Sequence, residues 1–367
     1  MKFNNIFISI SLLMLFSIRF ANAGGIIEDE LLDIEETFSA IQVYGDVQLR
    51  GDVVRDLPRA VEPTFERATA RARAGVIWEA NEFIELGAAL KVNWSTQSDA
   101  ETRFNLDNEL ADDVSIDELF TRIDLTENTS VLLGQTIFPL QLSPMVWDHD
   151  LRPQGASIQH IKEVGDFSSF EFTGGAFLGN HLFGDSSRIN AAQAALRIGE
   201  GTPFSYSATV AYLDFNNLGD LARNGLRRTN SANASGGFAE DFDIIDIQLG
   251  TNIRWQNFPI RARLDVLKNV AASDNNYGGR VDLVFGNSIR QRGFELGFAA
   301  QRIQQDAVVA PFNDDDWWFA TNMRGVAGWL AYGFNESIRL KGAVFHERLD
   351  PQPNNNNRAL IDLQYFF

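Results

Sequence analysis

The chain has 367 residues, no cysteine and a formal net charge of −18. Zero cysteine excludes a disulfide scaffold, a thiol nucleophile and a Cys-ligated metal centre, and the acidic balance argues against a nucleic-acid binder, which needs a basic face. A mean hydropathy of −0.15 excludes a polytopic helical membrane protein but not a β-barrel, whose lumen-facing half is polar.

Residues 1–23 read as a secretory signal peptide. Lys2 supplies the positive start, 6–18 form an apolar run too short to span a bilayer, and Ala21-Asn22-Ala23 is the small-x-small cleavage pattern. Residues 24–40 form an acidic N-terminal segment. There Ile27, Leu31, Leu32, Ile34 and Phe38 are spaced as one face of a short helix, and a mobile acidic tail is the equal alternative. Beyond residue 23 no run of apolar residues is long enough for a spanning helix.

From residue 41 the period is two. Over 41–50, Ile41, Val43, Gly45, Val47 and Leu49 alternate with Gln42, Tyr44, Asp46, Gln48 and Arg50. Over 67–78, a face of alanines ending in Val76 and Trp78 alternates with Arg67, Thr69, Arg71, Arg73, Gly75 and Ile77. Comparable segments follow near 83–94, 114–126, 130–138, 156–164, 168–179, 190–199, 203–214, 243–256, 259–268, 278–286, 293–304, 318–333, 337–348 and 358–367. This predicts about 16 strands, an even number, as a closed single-chain barrel requires.

The linkers alternate too. Short ones at 81–82, 127–129, 165–167, 200–202, 257–258, 287–292 and 335–336 separate long ones at 51–66, 95–113, 139–155, 180–189, 215–242, 269–277, 305–317 and 349–357. Residues 41–367 therefore read as an all-β, transmembrane, antiparallel up-and-down barrel with short periplasmic turns and long external loops. Trp78, Trp94, Tyr206, Tyr212, Trp255, Trp317, Trp318, Trp329, Tyr332 and Tyr365 fall near strand ends, where interfacial aromatic girdles belong. The competing reading is an exported all-β protein such as a jelly roll or β-helix.

Two stretches resemble known families. The end, Leu363-Gln364-Tyr365-Phe366-Phe367, resembles the C-terminal strand signature of Gram-negative outer-membrane proteins. That resemblance implies that Tyr365 and Phe367 carry an assembly signal read by the outer-membrane barrel assembly machinery. The second stretch is Gly134-Gln135-Thr136-Ile137-Phe138-Pro139, followed by Leu142-Ser143-Pro144-Met145-Val146-Trp147-Asp148-His149-Asp150-Leu151-Arg152-Pro153-Gln154-Gly155. It resembles a segment of the bacterial putative-porin family, relatives of the phosphate-selective porins. The motif covers about 20 residues, and the likeness in architecture covers 41–367. The resemblance implies an outer-membrane location, passive diffusion of small hydrophilic solutes and ions, a homotrimer, and outer-membrane lipid and lipopolysaccharide as surroundings. It implies no cofactor and no nucleic acid. In trimeric porins, which the chain resembles, the third long loop folds into the lumen, and here that loop is 139–155.

Pro139, Pro144 and Pro153 stiffen this loop, and Trp147, Asp148, His149, Asp150 and Arg152 are its candidate constriction residues. Trp147 and Asp148 read first as anchors of the loop. His149, Asp150 and Arg152 read equally as lining and as ordinary exposed groups. Arg50, Arg71, Arg73, Lys91, Arg197, Arg254, Arg261, Arg263, Arg280, Arg339 and Lys341 lie on polar strand faces that point inward, and Arg71/Arg73 and Arg261/Arg263 stack at i, i+2. Opposite acidic loops they set up a transverse field, or they form a phosphate track. Alternatively, each pairs with a wall acid such as Asp46, Glu85, Glu118, Asp124, Asp246, Asp265, Asp282 or Glu295, giving a mixed, weakly selective wall.

The acids of 99–113 and Asp314-Asp315-Asp316 read as solvated charge of external loops, with divalent bridging to lipopolysaccharide phosphates as an alternative. Loop 215–242 reads as mobile and external. Gly174–Ala176 and Ala191–Ala195 are small-residue faces suited to protomer contacts. Enzyme motifs such as G-x-S-x-G and H-E-x-x-H are missing. His149 beside Asp148 and Asp150 is the one candidate dyad, so a barrel hydrolase, like a surface adhesin, is a minor alternative.

Overall fold

Alternating side chains need a sheet with two different sides, and an apolar outer side leaves no solvent to satisfy an open edge. The computed structural model meets both demands by closure. It describes residues 41–56, 64–96, 113–179, 186–256, 258–352 and 355–367. The signal peptide expected over 1–23, the acidic segment 24–40, nearly all of the acidic loop 99–113 and His181 lie outside the described residues. The chain divides into two units, Met1–Gln42 and Val43–Phe367; of the first only Ile41 and Gln42 are described, and they open the first strand.

Sixteen strands form one closed antiparallel barrel. They are β1 (Ile41–Arg55), β2 (Thr64–Asn81), β3 (Ile84–Ser95), β4 (Val114–Thr126), β5 (Thr129–Gln135), β6 (Gln154–Gly165), β7 (Ser168–Leu178) and β8 (Arg188–Ile198), then β9 (Phe204–Asn216), β10 (Phe242–Trp255), β11 (Phe258–Asn269), β12 (Tyr277–Gly286), β13 (Phe294–Ile303), β14 (Met323–Gly333), β15 (Ile338–Leu349) and β16 (Asn355–Phe366). Each strand pairs with its sequence neighbours, and β1 pairs with β16 from Asp46↔Phe366 to Arg55↔Asn357. Beyond β16, Phe367 and Gly45 exchange backbone hydrogen bonds of 3.1 and 3.0 Å, which extends the closure to the last residue. Short turns gather at one end of the barrel and long loops at the other, as the linker lengths predict.

The outer surface carries the apolar residues of each alternating set, including Val43, Val47, Leu90, Phe172, Val210, Phe298, Val344 and Ile361, all exposed. The inner faces grade along the barrel. On β10 the inward residues run from buried Phe242 and Ile244 at the loop end, through buried Asp246 and Gln248, to exposed Asn252 and Arg254 at the turn end. The loop-end half of the lumen is therefore packed and the turn-end half is wet. The packed part is an apolar cluster that includes Phe177, Ile189, Leu213, Phe215, Ile244, Leu267, Ile303 and Met323 from strands between β7 and β14, and Val54, Phe65, Phe345 and Leu360 from β1, β2, β15 and β16.

Several expectations are corrected. The strand expected over 318–333 begins only at Met323, because residues 304–322 turn into the lumen. Trp317 and Trp318 are consequently buried and belong to no girdle. Trp329 also points inward: it faces Gly297 across the β13–β14 pairing, and its indole covers the space a Cβ there would fill. Its Nε1–H donates to Glu295 at 3.0 Å. Trp78, Trp94, Tyr206, Tyr212, Trp255, Tyr332 and Tyr365 are exposed on the outer surface, as a girdle requires. Loop 215–242 is no loose external segment either. Its α1 (Gly219–Arg223) buries Leu221, and Leu226 and Asn230 are buried beyond it.

Glycine is required where β5 enters the inward loop. Gly134 has φ +119°, and a Cβ there would lie 2.2 Å from the Leu119 carbonyl oxygen. Gly134→Ala is expected to lower stability by about 1–3 kcal/mol, read as a reduced urea midpoint of the detergent-folded protein.

Candidate functional site

Loop 136–153, between β5 and β6, crosses the lumen and is stitched to the far wall. The Gln141 N–H donates to Gln193 Oε1 (2.9 Å), and the Gln141 carbonyl accepts from Gln193 Nε2 (2.6 Å) and Gln248 Nε2 (3.0 Å). The Ser143 N–H donates to Asp246 (3.0 Å) and its hydroxyl to Asp265 (2.9 Å), while Arg263 Nη2 donates to the Leu142 carbonyl (3.1 Å). These acceptors and donors come from β8, β10 and β11, which explains the buried polar residues on their inner faces.

A second loop, 304–322 between β13 and β14, folds inward to meet it. Trp147 lies stacked between Phe138 (4.6 Å, 24°) of its own loop and Phe312 (5.3 Å, 11°) of the other. Phe138 continues to Phe177 on β7, and Phe312 to Phe215 on β9. The aromatic stack thus runs through both loops and anchors them to one side of the wall, at β7 and β9. Backbone bonds join the loops directly: the Asp148 N–H donates to the Phe312 carbonyl (2.6 Å) and the Asp314 N–H to the Pro144 carbonyl (3.0 Å). Loop 217–241 closes over the top, where Asn230 donates to the carbonyls of Gln305 (2.7 Å) and Val308 (2.9 Å) and accepts from the Ala310 N–H (2.9 Å).

The charged side of this junction faces β1–β4. Asp150 lies 2.7 Å from Arg71 and 3.5 Å from Arg73, and Asp46 accepts from Arg73 at 2.6 Å. Asp316 of the second loop pairs with Arg50 (2.7 Å), which also holds Asp362 (2.6 Å). Arg152 donates to the His149 carbonyl (2.6 Å) and sits 3.6 Å from both Asp117 and Glu118. The His149 side chain is 80% exposed, within 3.5 Å of Asp148 and 3.7 Å of Asp150. It is thus an exposed loop residue, whereas Trp147 and Asp148 are buried anchors.

Two pairs of loop carboxylates are driven apart. Burial, then the neighbouring Asp315, Asp150 and Asp314, push Asp148 well above the usual carboxylate range. Burial and Asp316 raise Asp314 as well. Burial works the same way on Asp150 and Asp316 but is outweighed. His149, Arg71 and Arg73 hold Asp150 well below the ordinary range, and Arg50, Lys341 and Arg358 do the same for Asp316. Asp314-Asp315-Asp316 is therefore not solvated external charge: it folds inward and is tied to the barrel wall. Asp148/His149/Asp150 and Asp314/Asp315/Asp316 are each close enough to chelate a cation, but Asp150 and Asp316 already serve arginines.

Most of the remaining wall cations are also paired, Arg254 and Lys341 having no carboxylate within 4.0 Å among the described residues. Lys91 lies 3.9 Å from Asp117, Arg263 pairs with Asp265 (2.6 Å), and Arg261 (3.1 Å) and Arg339 (3.3 Å) share Glu295. Some partners were not foreseen. Buried Asp52 is held between Arg358 (2.8 Å) and Arg67 (3.2 Å). Buried Glu347 accepts the N–H groups of Trp318 (2.9 Å) and Phe319 (3.0 Å) and so fixes the second loop. Asp117 joins Glu118 on the inner face through a bulge where β4 passes β3 between Ala89 and Leu90. The signal in the sequence is the lapse of alternation at Ile116-Asp117-Glu118-Leu119, where two acids separate two outward apolar residues. Tyr365 and Phe367 sit on the outer surface with their rings 5.9 Å apart, beside the closing seam.

No protein-family model matches the sequence, and no curated protein matches it. Solved structures do match the fold. Pseudomonas putida OprB superposes with a TM-score of 0.59 at 12% identity, over 92% of this chain and 96% of that one. Salmonella typhi OmpF, solved with daunomycin, gives 0.55 at 12% identity over 89% and 97%. An anion-selective porin from Comamonas acidovorans gives 0.54 at 9% identity over 89% and 99%. The chain has the closed 16-strand fold of these outer-membrane proteins.

Trp147→Ala empties the middle of the stack and is expected to cost about 3–5 kcal/mol in urea unfolding. Asp148→Asn keeps the acceptor for the Asp150 N–H (2.9 Å) and removes the disfavoured charge. A carboxyl whose folded pKa is raised destabilises the fold above that pKa, so the variant should be more stable than wild type at pH 8. That advantage should shrink as pH falls and wild-type Asp148 takes up its proton. Thermal melting across pH reads both outcomes.

Proposed function

We propose that this chain is an outer-membrane porin that passes small hydrophilic solutes and ions by passive diffusion. The observation that carries the reading is the pairing of an apolar outer surface with a charged inner wall that two loops narrow from within. Closure satisfies every strand's backbone, as hydrocarbon demands, while charges face the lumen. The apolar core fills the loop end of the lumen beside β7–β14 and also reaches Val54, Phe65, Phe345 and Leu360 on β1, β2, β15 and β16. The path therefore runs past the charged side of the loop junction, beside His149, Arg71, Arg73, Asp150, Arg50 and Asp316.

A passage of this kind sieves by width and biases by fixed charge. Nearly every arginine of the wall has a carboxylate within reach, which favours a mixed, weakly selective lumen over a dedicated phosphate track. The fold likeness to porins supports an outer-membrane location, reached through the signal peptide of residues 1–23, with assembly directed by Tyr365 and Phe367. A homotrimer is part of the same reading. Outward Gly174, Ala176, Ala192 and Ala194 on β7 and β8 offer a low-relief surface for protomers to approach closely.

The test is planar-bilayer recording with reversal potentials in a salt gradient. Ohmic steps with a small reversal potential are expected, and absence of conductance removes the channel reading. Strongly anion-selective, saturating steps that phosphate inhibits would replace the general porin by a phosphate channel. Asp150→Asn removes the carboxylate shared by Arg71 and Arg73. It is expected to move the reversal potential toward anions, and Arg73→Ala toward cations.

A further inference from the structure

Along the outer surface, cations are rare except at one place. Arg302 on β13, Arg324 on β14 and Arg348 on β15 stand directly opposite one another in register, Arg302↔Arg324 and Arg324↔Arg348. Their parity is that of Phe298, Val326 and Val344, so all three point away from the lumen. Lys268 on β11, lying 4.9 Å over the ring of Tyr277, extends the row toward the neighbouring strands. All four sit within the last turns of the barrel at its loop end.

Like charges facing each other across antiparallel strands repel. Among the described residues one carboxylate, Asp350, pairs with the three arginines, at 2.8 Å from Arg324 and 3.8 Å from Arg348. Among the described residues Arg302 has no acid partner. Lys268 has the outward carboxylates Asp243 and Asp214 on the two strands beyond it, but the three arginines set against Asp350 leave an excess of about two positive charges, which calls for a polyanion from outside the chain.

Immediately below the row the surface is concave and apolar. A groove of about 590 Å³ reaches from Arg302 and Arg324 down to Gly279, Val281, Ala300 and Val326. It shares Val281, Ala300 and Val326 with a second groove of about 920 Å³, which continues past Phe298, Gly328 and Val344. Small residues form the floor, and Phe298, Val326 and Val344 form the walls. A basic rim above an apolar trough matches one chemistry, an acyl chain beneath a phosphorylated headgroup.

We infer that the outer face of β11–β15 binds a multiply phosphorylated, acylated lipid of the leaflet that surrounds the long-loop end of the barrel. Its phosphates bridge Arg302, Arg324 and Arg348, and an acyl chain lies in the groove over Ala300 and Gly328. This inference rests on the outer-membrane reading above. The site is separate from the lumen, because its side chains point to the opposite face of the sheet.

The test is native mass spectrometry of the detergent-folded protein titrated with diphosphoryl lipid A. Single-channel conductance is recorded on the same preparation. A one-to-one adduct is expected, with affinity reduced roughly tenfold or more in Arg302→Gln/Arg324→Gln/Arg348→Gln, and conductance unchanged. Arg302→Gln alone, which breaks no ion pair to a described residue, should weaken binding in the same direction and guards against misfolding of the triple variant. Unchanged affinity in both variants overturns the inference. So does displacement by inorganic phosphate at equal concentration, or equal binding of the dephosphorylated lipid. A protein that conducts but forms no adduct keeps the channel and loses this site, whereas one that forms the adduct without conducting keeps the site and loses the channel.

Discussion

A β-strand has two hydrogen-bonding edges, and a strand whose outward side chains are apolar cannot leave either edge to water. Everything else in this molecule depends on how that constraint is met. Sixteen strands pair with their neighbours until β16 returns to β1, and the register from Asp46↔Phe366 to Arg55↔Asn357 removes the last open edge. Closure then sorts side chains by parity. One set faces outward and is apolar; the other faces a shared interior where charges can find partners.

The interior is not a plain tube. At the loop end two inward loops and one covering loop bring their own aromatic residues, and β7–β14 supply inward-facing Ile189, Leu213, Ile244 and Ile303 to receive them. The stack through Phe138, Trp147 and Phe312 joins the two inward loops and ties them to β7 and β9. On the opposite side the same loops present carboxylates to arginines. Removing one member of such a buried pair costs more than the pair contributes, because the other charge is stranded. That explains why Asp52 is flanked by both Arg67 and Arg358, and why Arg50 holds Asp316 and Asp362 together. The apolar cluster and the ion pairs together fix the loops within the barrel.

The same parity rule makes the outer surface informative. Where outward residues are apolar, lipid is a sufficient partner. Where Arg302, Arg324 and Arg348 face each other with Asp350 as their one acid partner among the described residues, the sheet carries a charge pattern that it does not itself balance. The inner arginines named above lie beside carboxylates of nearby strands or of the inward loops. Two identical side-chain types on two faces of one sheet thus have different electrostatic roles, set by which neighbours share their face.

How much of this was legible in the sequence follows from the range of the interactions. Alternation with period two is local, so strand number, strand order, the alternation of short and long linkers, and the inward direction of Arg50, Arg71, Arg73, Lys91, Arg261, Arg263 and Arg339 were determined by residues within a few positions of each other. The third long loop was marked by its prolines and its Trp147–Arg152 cluster. The inward fold of residues 304–322 was not marked. Trp317 and Trp318 look like girdle residues until Phe65, Phe345 and Glu347, from strands distant in sequence or across the barrel, are seen to enclose them. The β4 bulge that turns both Asp117 and Glu118 inward depends on pairing with β3. The sequence alone decided which residues share a face, because parity is a property of the backbone; the tertiary structure decided which of those residues meet, because partners across a closed barrel are separated by hundreds of residues and brought together only by its curvature.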